Sequence, residues 1–245
     1  MLVVERQRFL DELWDYKVGE HVTFLGRTGG GKTTLKVQLI HALEKTFPGK
    51  IGIIDLKPRH PEMDAWAKRF KWPVTPRYPI PYVTRLKHLG YDLNTFVYRP
   101  PHGSEISEEA DVLLGWKVFR FAQSAYKSKD PWIIDADEML DLEDLGGPRP
   151  KPPMKVLMRV LHTRGRSNLT GFWGGTQRPY DVSLYAYSQA SHLFICRDTD
   201  KNNHRRYRDI GGIDPVIVAE TVSNLPEYHW LYLRPAKGQA CVVGP

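Results

Sequence analysis

The chain has 245 residues, 41% of them hydrophobic and 26% charged, a composition that suits a folded globular chain and excludes intrinsic disorder. Lysine and arginine number 35 against 28 aspartates and glutamates, a net charge of +7 with a pI near 9.3, which makes a polyanionic partner a class to test. Two cysteines, Cys196 and Cys241, lie far apart with no CxxC or paired-histidine pattern, which argues against a disulfide framework or structural zinc and fits a reducing, cytoplasmic compartment.

The opening MLVVERQRFLDELWDYK meets charge within a few residues, and no apolar run approaches the ~18 residues of a membrane span, so neither a signal peptide nor a membrane segment is expected. A β-rich run from His21 to Leu25 leads into GRTGGGKTT, and Leu35, Leu39, Ala42 and Leu43 then recur at helical spacing until Pro48-Gly49. Strand, glycine loop and helix are the expected order. Ile51 to Ile54 forms a second strand ending at Asp55, which completes a βαβ unit with a parallel sheet.

Residues 56–90 carry eight Lys/Arg against two acids, together with Pro58, Pro61, Pro73, Pro76, Pro79 and Pro81, and predict a basic, proline-rich, irregular insertion. Beyond it, Thr95 to Tyr98 reads as a strand, Ser104 as the cap of a long helix with Glu105, Glu108 and Glu109 in its first turns, and Trp132 to Ala136 as a buried strand. An acidic run to Asp144 meets the loop GGPRPKPP, and a helix follows from about Met154 to Thr163. Leu169 to Thr176 and His192 to Cys196 are further strands, with short helices around Val182 to Gln189 and Asn202 to Asp209. Residues 228–243 alternate around Pro-Ala-Lys-Gly and predict a closing hairpin. No internal repeat interrupts this alternation, so residues 1–245 are expected to form one α/β domain.

Gly26, Arg27, Thr28, Gly29, Gly30, Gly31, Lys32 and Thr33 match GxxxxGK[ST], and Thr34 follows. Each residue type has a reason. Glycines let backbone N–H groups curl around phosphates, Lys32 reaches the β- and γ-phosphates of ATP, Thr33 supplies a Mg²⁺ ligand, and the helix points its positive end at the anion. The strand WIIDADEM supplies acids at its carboxyl end: Asp137 to hold Mg²⁺ through water, Glu138 to orient and deprotonate the attacking water. Asp135 is the alternative for the metal role. Gln177, at the tip of the strand that ends in TQRP, is placed to sense the γ-phosphate.

These motifs together resemble the FtsK-HerA superfamily of ring-forming, DNA-pumping ATPases, which share a Walker A loop, a DE-type Walker B, a GR-containing helix end and a TQRP strand. The matches run from about His21 to Asp214, and IIDLKPR resembles the family's DxK segment. The resemblance implies a RecA-like (ASCE) P-loop NTPase with a mainly parallel central sheet flanked by helices. It implies ATP hydrolysis with Mg²⁺ coupled to movement of DNA, a homohexameric ring, and an arginine finger acting on a neighbour's nucleotide at Arg166, in the GR position, or at Arg164. It further implies a compact motor of the kind that packages viral or phage genomes in the host cytoplasm and docks to a capsid or membrane complex. A rival is an assembly or secretion ATPase acting on protein, of the filamentous-phage morphogenesis type. A small-molecule kinase is disfavoured by Glu138 and the TQRP strand.

Two weaker features are read both ways. Arg149, Lys151 and Lys155 either grip DNA phosphates without sequence preference or form a solvated basic face. Trp66, Trp72, Tyr78 and Tyr82 either stack on bases or pack the proline-rich segment onto the sheet.

Overall fold

The computed structural model describes residues 1–103, 107–145 and 152–245. A first strand, β1 (Val3–Glu5), precedes a short helix α1 (Arg6–Arg8) that runs on into a π-helical turn (Phe9–Leu13). Then come β2 (Val22–Leu25), α2 (Lys32–Leu43), β3 (Lys50–Ile54), α3 (Pro61–Phe70), β4 (Val74–Thr75), α4 (Val83–His88) and β5 (Thr95–Tyr98). The chain continues through α5 (Glu108–Tyr126), β6 (Trp132–Ala136), α6 (Met139–Asp144), α7 (Met154–Arg164), β7 (Thr170–Thr176), α8 (Tyr185–Ser188) and β8 (His192–Cys196). It closes with α9 (Lys201–Arg206), α10 (Pro215–Ser223), β9 (Trp230–Arg234) and β10 (Gln239–Gly244).

The strands form one ten-stranded sheet in the order β1-β10-β9-β8-β2-β7-β6-β3-β5-β4. Strand β9 runs antiparallel to both its neighbours, and every other pairing among the described residues is parallel. Central strands are buried on both faces, which is why they read as mostly apolar runs without alternation. Along β6, Ile133 points into the core beneath α2 and α3, whereas Trp132 and Ile134 pack with Phe121 of α5 and Leu161 of α7 on the opposite face. The sheet is thus covered by helices on both sides.

The 228–243 hairpin forms: Gln239 pairs with Arg234, and Gly238 closes the turn with φ of 60°. Two expectations need correction. The 56–90 segment is not irregular. Pro61 occupies the first turn of α3, where its missing N–H costs nothing, and Met63 and Ala67 then bury one face of that helix. Pro73 and Pro76 flank the two-residue edge strand β4, so the prolines punctuate elements here and do not abolish them. The cap of α5 is Ser107, whose hydroxyl accepts from Ala110 N at 3.2 Å, and not Ser104, which with Glu105 lies outside the described residues. Glu108 and Glu109 do fall in the first turn, where negative charge favours the helix dipole.

Candidate nucleotide site

The register of β2 aligns Leu25 with Thr176 of β7 and with Ile195 of β8, so the loops after these strands open at one edge of the sheet. The loops after β3 and β6 open at the same edge, because those strands run parallel to them. In an open α/β sheet this carboxyl edge is where ligands bind. The phosphate loop lies there: the Gly26 N–H donates to the Thr176 carbonyl at 3.0 Å, and Gly29 and Gly31 take φ of 75° and 82°, values that side chains disfavour. Gly31 caps α2, so the loop ends on a helix N-terminus with its free N–H groups. Beneath the loop, a Cβ on Gly26 would meet Cys196 Sγ at 2.6 Å, so the close approach requires glycine.

Lys32 is buried, and its ammonium folds across the loop to donate to the carbonyls of Gly26 at 2.7 Å and Arg27 at 3.3 Å. Burial pulls it below the ordinary lysine value, while Asp137 and Glu138 oppose that shift. Thr33 and Thr34 open α2, and the Thr34 hydroxyl donates to Glu62 of α3 at 3.0 Å.

The structure separates the three acids at the carboxyl end of β6. Asp135 is fully buried, and Lys36 lies 2.9 Å from its Oδ1 while donating to the Ala136 carbonyl at 3.0 Å. That Oδ1 contact is an ion pair without good hydrogen-bond direction, and burial pushes the Asp135 carboxyl well above the ordinary carboxylate range despite Lys36. Asp137 is partly open, with Lys57 Nζ 2.7 Å from Oδ2. Burial works against its ionisation, but Lys36 and then Lys57 outweigh it and hold the carboxyl at about 2. Its Oδ1 is buried with no hydrogen-bond partner. Glu138 caps α6, and its Oε2 accepts from the backbone N–H of Gln177 at 2.9 Å. Burial raises its pKa, opposed by the Thr176 hydroxyl and the backbone donors.

Gln177 connects the two halves of the site, since its side-chain oxygen accepts from the Thr28 hydroxyl while its backbone holds Glu138. Gly175 makes the approach possible: a Cβ there would overlap the Asp137 carbonyl.

The structure thus brings Gly26 to Thr34, Asp135, Asp137, Glu138 and Gln177 together. It does not bring Arg164 or Arg166 to them. Both are exposed at the end of α7 and in the turn before β7, at the amino edge of the sheet, and the length of β7, on the order of 20 Å, lies between them and the loop. Arg149 and Lys151 lie outside the described residues. Lys155 is exposed at the start of α7, 3.6 Å from Asp144. Trp72 is buried, and Tyr78 packs on Phe96, Phe121 and Trp132, so packing explains both; Tyr82 is exposed, and Trp66 stacks on Phe70. Reading of the sequence missed Lys36, whose signal was a lysine one turn after Lys32 on an otherwise apolar helix face, and the contact of Lys57 with Asp137.

A glycine loop between a central strand and a helix, with carboxylates at the end of a strand one removed from it, defines a P-loop NTPase fold. Comparison with protein-family models and with curated proteins gives no match. Among solved structures, the chain is similar to B204, the DNA-packaging ATPase from Sulfolobus turreted icosahedral virus, with a TM-score of 0.65 and 16% identity over 94% of this chain and 99% of that one. It is similar to the genome packaging NTPase B204 from Sulfolobus turreted icosahedral virus 2 in complex with ATP-gammaS, with a TM-score of 0.59 and 16% identity over 94% and 99%. It is similar also to VirB4 of Thermoanaerobacter pseudethanolicus, with a TM-score of 0.65 and 11% identity over 95% and 92%. At these identities the likeness is one of fold: a mainly parallel sheet flanked by helices, with the phosphate loop at its carboxyl edge.

Proposed function

We propose that the chain hydrolyses ATP and couples turnover to moving DNA, in the manner of a genome-packaging motor. The observation that carries this reading is the Gln177 bridge, which ties the phosphate loop through Thr28 to the carboxylate of Glu138. Loop amides and Lys32 hold the phosphates. Glu138, its basicity raised by burial, takes the proton of a water that attacks the γ-phosphorus as the bond to the β-phosphate oxygen breaks, giving ADP and phosphate. Gln177 then reports the presence of the γ-phosphate to the strand end.

The residues present suit Mg²⁺: Asp137 Oδ1 is buried with no hydrogen-bond donor, Lys36 standing off at 3.8 Å, and Thr33 opens the helix beside the loop. No group of three His, Cys, Asp or Glu side chains that would hold a metal on its own occurs among the described residues, consistent with an ion held mostly by phosphates and water. When bound, Mg²⁺ supplies charge neutralisation on the β- and γ-phosphate oxygens.

DNA as partner rests on the DNA-packaging role named for B204 and on the net charge of +7, with Lys155, Arg149 and Lys151 as sequence-independent phosphate contacts. A homohexameric ring docked to a capsid or membrane complex in the cytoplasm completes the proposal. No helix among the described residues is long and apolar enough to cross a membrane. The test is ATPase turnover with and without single- or double-stranded DNA: stimulation by either supports the motor, and turnover indifferent to both points to the protein-moving alternative.

A further inference from the structure

Strand order fixes the direction in which a nucleotide lies across this site. The γ-phosphate machinery, Asp137, Glu138 and Gln177, follows β6 and β7, on one side of the phosphate loop. The nucleoside must therefore leave toward β8 and β9 on the other side. Strand β9 is antiparallel to β8, so its amino end returns to the carboxyl edge: Trp230 pairs with Cys196, directly beneath the loop. Tyr228 lies two residues before Trp230. Its ring comes within 3.5 Å of where a Cβ on Gly31 would stand, while 55% of the residue remains exposed.

Packing does not explain this tyrosine. Its backbone takes φ of 59°, a left-handed conformation that residues other than Gly, Asn and Asp avoid. What holds it is Arg6, which reaches from the opposite end of the sequence to donate to the Tyr228 carbonyl at 2.7 Å and approaches Gln38 of α2 at 3.5 Å. Glu227, next in line, faces Arg27 of the loop at 3.8 Å. An exposed aromatic ring is thus held in a disfavoured conformation against the last glycine of the phosphate loop. Such strain, over-determined by its surroundings, is concentrated at ligand clamps.

We propose that Tyr228 is the stacking platform for the base of the bound nucleotide, with Arg6 as the residue that positions it. The proposal rests on the reading of the site as an ATP site, and it assigns binding of the base to the segment between α10 and β9. A flat apolar ring flanked by solvent suits the π-face of a purine, and stacking of this kind is tolerant of base identity.

The test compares AMPPCP, which carries a base, with inorganic tripolyphosphate, which does not, by calorimetry in the presence of Mg²⁺. Tyr228→Asn keeps a residue that accepts the left-handed backbone while removing the ring. It should weaken AMPPCP binding roughly tenfold and leave tripolyphosphate within about twofold. Tyr228→Phe should bind both like the wild type, and Arg6→Ala should weaken AMPPCP alone by a smaller factor. Equal losses for both ligands in Tyr228→Asn would make the ring a brace for the loop and overturn the proposal. Unchanged AMPPCP binding would overturn it too, and place the base in the polar cleft of about 500 Å³ between Gln177 and Asp198. Failure of the ATP reading itself shows earlier and separately, as wild-type protein that binds neither ligand.

Discussion

Lys57 places its ammonium 2.7 Å from Oδ2 of Asp137, although 80 residues separate the two in sequence and they follow different strands. The pairing of β3 with β6 brings them together, aligning Ile54 with Ala136. Lys57 bonds Oδ2 and fixes the rotamer of the carboxylate, leaving Asp137 Oδ1 with no hydrogen-bond donor and Lys36 3.8 Å away. A charge-assisted hydrogen bond contributes about 1.5–3 kcal/mol when shielded, and solvent around the half-exposed lysine removes part of that. Lys57→Met is therefore expected to lower ATP turnover roughly tenfold, with ATP affinity changed by less than about threefold, because Lys57 does not touch the phosphate loop. Comparable losses in kcat and affinity would show that it acts on the nucleotide directly.

The three acids at the carboxyl end of β6 should separate cleanly on substitution. Asp135→Asn leaves Lys36 buried without its closest counter-charge, which costs about 3 kcal/mol of stability, read as a lowered urea midpoint. Asp137→Asn should retain most of that stability and lose Mg²⁺-dependent turnover. Glu138→Gln should bind ATP and fail to hydrolyse it, since only the base is removed. If Asp135→Asn abolishes turnover at unchanged stability, the metal role moves to Asp135.

Buried His21 and His162 make stability pH-dependent. Their rings stack with centroids 5.8 Å apart, and His21 Nδ1 accepts from the Phe172 N–H at 3.0 Å, which requires a neutral ring. Burial first, and then nearby positive charge, lowers His21 to about 4 and His162 to about 3. Both lie below the unfolded value of ~6.5, so the unfolded chain binds more protons once the pH falls through that value. Stability is complete above pH ~6.5 and falls by up to ~1.4 kcal/mol per unit for each histidine down to its folded pKa. His162→Leu should make the decline between about pH 7 and about pH 5 markedly shallower in urea unfolding. An unchanged slope would assign the acid sensitivity to other groups.

Much of the fold was legible because these strands are doubly buried: Thr95 to Tyr98, Trp132 to Ala136 and His192 to Cys196 coincide with mostly apolar runs that do not alternate. The phosphate loop and the Asp-Ala-Asp-Glu end were legible for a different reason, since their chemistry is carried by residues adjacent in sequence. Helix α3 and strand β4 were hidden by prolines that serve as a first-turn residue and as flanks of an edge strand. The pairs Lys36–Asp135, Lys57–Asp137 and Arg6–Tyr228 depend on strand order and register, which local pattern does not encode. Glycines 174 and 175 show the same gap: what requires them, the passage of Met139 and the Asp137 carbonyl over β7, is a matter of packing.

Arg166 and Arg164 stand at the amino edge of the sheet, the far edge from their own phosphate loop, so any part they take in hydrolysis must be played on a neighbouring subunit. Their side chains are exposed, as a group that reaches across an interface must be. An arginine acting in trans stabilises the charge that develops on the transferring phosphoryl group, an effect of about 10³-fold or more in rate. Arg166→Ala should therefore bind ATP normally and lose turnover. Mixed with Glu138→Gln subunits, it should regain activity, because some interfaces then join an intact Glu138 from one subunit to an intact Arg166 from the other. Arg164→Ala serves as the parallel case. Native mass spectrometry reports whether mixed oligomers form; if they form and neither arginine variant recovers turnover, both residues revert to capping the carbonyls at the end of α7.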